Sequence, residues 1–183
     1  WNARMSVLVA YIGDGSISDD DALMTMAARI GSQLLTHTVI DLSADGGLRS
    51  IYQSLPERLL IADRFSSPDS SIPTIILWAG LGDAKREPPP TLWMDLYALV
   101  VRIILSKRFI PVLVLPPELP EGISLKGPRR WIRRIRSRII QLADENMLEV
   151  VDLDINSDAW LDSTSISNEG HQCIASQIAE AII

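Results

Sequence analysis

Short apolar runs alternate with longer amphipathic stretches along the chain. Val7 to Ile12 is a compact run rich in β-formers, closed by the turn Gly13-Asp14-Gly15-Ser16. From Asp19 to Ile30 the spacing becomes helical, with Leu23, Met26, Ala27 and Ile30 on one face. The acidic run Asp19-Asp20-Asp21 suits a helix N-terminus, where free N–H groups and the positive dipole end favour carboxylates. His37 to Leu42 reads as a second strand, closed by Ser43-Ala44-Asp45-Gly46-Gly47. A helix is expected from Arg49 to Phe65, with Pro56 marking a break or a fresh start, and a polar loop from Ser66 to Ser71. Thr74 to Ala79 is a third strand, ending in Gly80-Leu81-Gly82-Asp83. Pro88-Pro89-Pro90 precedes a long helix over 91–106, and Ile110 to Leu115 is a fourth strand stopped by Pro116-Pro117. After a loop over 120–128, Arg129 to Glu145 forms a basic amphipathic helix. Its apolar face is Trp131, Ile132, Ile135, Ile139 and Ile140. Leu148 to Leu153 is the fifth strand, and Ser167 to Ile183 the last helix.

Five strand–helix units in succession predict an α/β domain: a parallel sheet with helices on both faces and right-handed crossovers. Ligands of such sheets bind outside the carboxyl ends of the strands. Here those ends carry the polar and Gly-rich loops after Ile12, Leu42, Ala79, Pro116 and Leu153.

Composition narrows the reading. The 183 residues suit one domain with a core large enough to need no staples. No internal repeat and no second domain is evident. Seventeen basic residues against twenty-three acidic ones give a net charge of −6, so no nucleic-acid partner is expected. The single Cys173 rules out an intrachain disulfide and leaves the cellular compartment open. No run reaches the 18 or more apolar residues of a membrane span, the most apolar helix being interrupted by Arg102. The chain opens on Trp1 rather than Met, and the expectation is a domain excised from a longer protein.

The loops at the strand ends resemble, in order, the sequence blocks of the SGNH (GDSL-type) hydrolases. The family's first block is a strand followed by Gly-Asp-Ser, the serine being the nucleophile. Here it reads Tyr11-Ile12-Gly13-Asp14-Gly15-Ser16-Ile17-Ser18. Aligned without a gap the serine position holds Gly15; with one inserted glycine it holds Ser16. The second block, which supplies a glycine N–H to the oxyanion hole, is matched by Val39 to Gly46, with Gly46 on the glycine position. The third block, Gly-x-Asn-Asp, is matched by Gly80-Leu81-Gly82-Asp83. Gly82 stands where the family has its oxyanion-binding Asn, and the following Asp is kept as Asp83. The last block, Asp-x-x-His followed five residues later by Gly, is matched by Asp162 to Ser165 and then Gly170. Ser165 therefore occupies the position of the catalytic His. The resemblance implies a three-layer α/β/α sandwich, flavodoxin-like, with a five-stranded parallel sheet in the order 2-1-3-4-5.

Serine esterases need a base for the hydroxyl proton, a carboxylate to orient that base, and donors aimed at the oxyanion. This chain has two histidines. His37 enters the second strand at the end away from these loops. His171 falls in the first turn of the last helix, where packing or capping is the simpler role, and reaching the Ser165 position would mean bridging six residues around a helix start. Removing a triad serine or histidine costs on the order of 10⁶ in turnover, and one side-chain oxyanion donor about 10²–10³. The expectation is thus a catalytically degenerate domain, a binding or scaffold module for a protein partner or an acyl or glycan ligand. The rival is a divergent esterase with Ser16 as nucleophile, Gly46 as oxyanion donor and His171 or a carboxylate as base, Asp162 being the further catalytic candidate. A third reading is a phosphate or nucleotide binder at the Gly13–Ser16 turn, which lacks a P-loop lysine. Asp14, Asp83 and Asp162 could together hold a hard metal, but loop hydrogen bonding and capping explain them more simply, and no cofactor or metal is expected. The arginines of the 129–138 segment read as a solvated face that could also contact an acidic partner.

Overall fold

The computed structural model describes residues 7–13, 25–34, 36–44, 46–66, 73–122, 126–161 and 166–183. Five strands form one parallel sheet: β1 (Val7–Gly13), β2 (His37–Asp41), β3 (Thr74–Trp78), β4 (Ile110–Val114) and β5 (Val150–Val151). Their order is β2-β1-β3-β4-β5, as the resemblance implied. Val9 of β1 faces Val39 on one side and Thr74 on the other, so β1 sits inside the sheet. Residues 8–12 and 75–78 are buried throughout, as strands covered on both faces must be.

The helices are α1 (Met26–Gln33), α2 (Leu48–Phe65), α3 (Pro90–Ser106), α4 (Lys126–Asn146) and α5 (Asn168–Ile182). α1 packs on α5, while α2 packs on α3 and α3 on α4. Each helix turns its apolar stripe inward, for instance Leu48, Ile51, Leu55, Leu59 and Ala62 of α2. Among the described residues no helix is long and apolar enough to cross a membrane.

Several boundaries differ from the expectation. Pro56 does not break α2, which runs unbroken over 18 residues. Its ring lies on the exposed face, where the Tyr52 carbonyl it leaves without a donor can bind water, and the apolar stripe carries the helix past it. α4 begins three residues early and holds Pro128 in its first turn, where N–H groups have no intrahelical acceptor to lose. Ile140 is not part of the buried face of α4; it is 40% exposed. β5 keeps only two paired residues of the expected six, held by Leu113 N–H on Glu149 and Leu115 N–H on Val151. α1 begins at Met26, capped by the Thr25 hydroxyl rather than by the acidic run, and Asp19-Asp20-Asp21 lies outside the described residues. A short 3-10 turn (Ser157–Ala159) precedes α5, a feature the apolar pattern had not signalled.

Candidate functional site

In a right-handed β–loop–α unit the helix N-terminus returns to the carboxyl end of the sheet, so the loops of interest gather there. Ala44 N–H donates to the Gly13 carbonyl at 3.0 Å, tying the second loop to the end of β1. Gly46 and Gly47 both have positive φ, at 101° and 79°. Gly46 is exposed and Gly47 is buried as the N-cap of α2.

Asp83 joins the second loop to the third. It is 7% exposed, and its Oδ2 accepts from Leu48 N–H at 3.0 Å and from the Trp93 indole N–H at 2.8 Å. One carboxylate thus caps α2 and anchors α3. A Cβ at Gly47 would run into this carboxylate. The sequence match placed Gly46 and Asp83 in separate blocks, and the fold brings their loops together. Gly82 is exposed in the turn over 81–86, next to that buried Asp.

His171 lies elsewhere in this rim. Ser167 caps α5, its hydroxyl accepting from Gly170 N–H at 3.1 Å. Gly170 packs so closely on Ile166 that a Cβ would collide with it and crowd Ala159. His171 follows, 5% exposed. Burial lowers its pKa below the usual histidine value, the Arg29 guanidinium lowers it further, and a hydrogen bond to the Ser167 backbone acts the other way. Arg29 itself is buried and donates to Asn168 Oδ1 at 2.5 Å and Gln172 Oε1 at 3.5 Å. The buried surroundings of this histidine therefore include a cation held by its own helix.

His37 stands at the start of β2, half-buried, beside the Thr36 hydroxyl at 3.1 Å. Asp14, Gly15, Ser16, Asp162 and Ser165 lie outside the described residues. Among the described residues no cluster of three or more His, Cys, Asp or Glu could hold a metal. Asp83, one of the three aspartates considered for a metal, has both its hydrogen bonds from N–H donors on one oxygen. Sequence reasoning missed Trp93 and Arg29. Arg29 left a trace: it sits inside the apolar face formed by Met26, Ala27 and Ile30.

No protein-family model matches the sequence, and no curated protein matches it significantly. Solved structures do. The chain superposes on a lipolytic protein of the G-D-S-L family from Veillonella parvula with a TM-score of 0.79 at 12% identity, covering 96% of this chain and 97% of that one. The fold is that of the SGNH hydrolases. A lipase/acylhydrolase from Enterococcus faecalis gives 0.75 at 16% identity, over 97% of this chain and 95% of that one. A catalytic mutant of an acetylxylan esterase from Geobacillus stearothermophilus gives 0.75 at 15%, over 98% and 96%. The SGNH frame therefore spans nearly the whole chain. Among the described residues, Asp83 lies after β3 and Gly170 in the first turn of α5, each closely packed.

Proposed function

We propose that this chain is a catalytically degenerate SGNH-type domain that acts as a binding or scaffold module. The observation that carries the proposal is Ser165 at the position of the catalytic histidine. Gly82 in place of the oxyanion-binding Asn supports it. So do the surroundings of His171: a buried imidazole beside a fixed guanidinium is disfavoured from taking up a proton, as a general base must. On this reading an acyl or glycan group would be held, uncleaved, at the loops that follow β1, β2 and β3, the place where ligands of such sheets bind.

The test is hydrolysis of p-nitrophenyl acetate by wild type and Ser16→Ala, side by side, with a fluorophosphonate probe for labelling. Both proteins are expected to match the buffer blank and to remain unlabelled. Turnover and stoichiometric labelling by wild type, both lost in Ser16→Ala, would sink the proposal and establish the rival, a divergent esterase with Ser16 as nucleophile. The esterases and lipases that share this fold are what keep that rival in view.

A further inference from the structure

We propose that the groove between α3 and α4 docks an acidic helical segment of a partner protein. α4 holds Lys126, Arg129, Arg130, Arg133, Arg134, Arg136 and Arg138 against Asp144 and Glu145. Seven of the chain's seventeen basic residues thus fall in one helix, leaving ten basic against twenty-one acidic residues elsewhere. Three of these arginines have a carboxylate partner: Arg129 with Glu121, Arg133 with Glu118 and Arg136 with Asp152. Among the described residues no carboxylate lies within ion-pair distance of Arg130, Arg134 or Arg138. These three recur every fourth residue, are exposed, and border one hollow of about 590 Å³.

The opposite wall of the hollow is Pro90 and Thr91, the first turn of α3. No side chain caps that helix end, so its free N–H groups add positive potential on the same side. A second hollow of about 370 Å³ continues along the groove past Lys126 and Arg134. Its one carboxylate, Glu87, lies against Gly127 at the α4 N-terminus. A solvated face needs neither a concave wall nor a second positive element turned toward it. The arginine row repeats at about 6 Å per four residues, so three rungs span about 12 Å. Carboxylates at every fourth position of a partner helix repeat at the same pitch and can meet all three guanidinium forks in register. A single-stranded polynucleotide would look for exposed aromatic platforms. The only aromatic ring in either lining, Trp131, is 4% exposed and donates its N–H to the Pro88 carbonyl.

The probe is an alanine-based helical peptide with Glu at every fourth position, read by fluorescence anisotropy at low salt. Saturable binding is expected, weakening as salt rises. Changing Arg130→Gln, Arg134→Gln and Arg138→Gln together should weaken it about tenfold or more. The pair Arg102→Gln and Lys107→Gln should leave it unchanged, and thermal melts check that each variant is folded. Three outcomes overturn the proposal. One is no saturable binding by wild type. Another is equal binding by the folded triple variant, or by a peptide with the same Glu residues scattered around the helix. The third is tighter binding of a single-stranded oligonucleotide that the triple variant loses.

Discussion

Asp83 shows how much one side chain can hold. It accepts two N–H groups in a buried setting, one from the start of α2 and one from Trp93. Asp83→Ala leaves both donors without their acceptor and should cost about 3 kcal/mol in urea unfolding, while Asp83→Asn, which keeps an acceptor oxygen, should cost about 1 kcal/mol. Gly47→Ala should cost at least about 1–2 kcal/mol from its positive φ alone, before the collision with Asp83 is counted. His171 makes a pH prediction. Its folded pKa is lowered, so the unfolded chain binds the proton more readily. Stability is then complete above the ordinary histidine pKa and falls as pH drops below it toward the folded value. Unfolding free energies at pH 7.5 and 5.5 should differ more in wild type than in His171→Gln; equal differences would remove the histidine from this role. Of these residues, Asp83 was legible because it sits in a local motif, whereas the motif match singled out Gly46 and it is the neighbouring Gly47 that meets the carboxylate. The donors to Asp83 were not legible, because Leu48 is 35 residues away in sequence and only the packed sheet brings it near.

At the level of elements, the apolar periodicity located all five strands and five helices, and it erred where one local rule met tertiary packing. Proline was read as a breaker at 56, and α2 continues through it because Leu55 and Leu59 are fully committed to the core. Pro56→Ala would return an N–H to the Tyr52 carbonyl on an exposed face. A gain of about 1–2 kcal/mol in thermal unfolding is expected, smaller than the full helix-interior penalty because alanine also frees the unfolded chain. β5 was overestimated because Leu148 to Leu153 is apolar enough for a strand, whereas an edge position pairs on one side only. Ile140 was placed on the apolar face of α4, yet it stands at the margin of that face, 40% exposed, while Ile139 beside it is fully buried.

For the whole molecule, the order β2-β1-β3-β4-β5 and the SGNH frame followed from the succession of units and from four short loop motifs. Activity is a different matter, since it depends on atoms at a few positions rather than on the frame. If Ser165 and Gly82 mark the loss, then Ser165→His together with Gly82→Asn should raise p-nitrophenyl acetate hydrolysis above either single variant, and adding Ser16→Ala should abolish the gain. The Asp83 bridge has a consequence for the history of such a chain. A substitution at the exposed position 82 is free of the constraint that holds its neighbour: position 83 caps one helix and anchors another, and position 47 cannot bear a side chain. In descendants of this sequence, drift should therefore spare this aspartate and the glycine it presses against longer than the exposed turn around them.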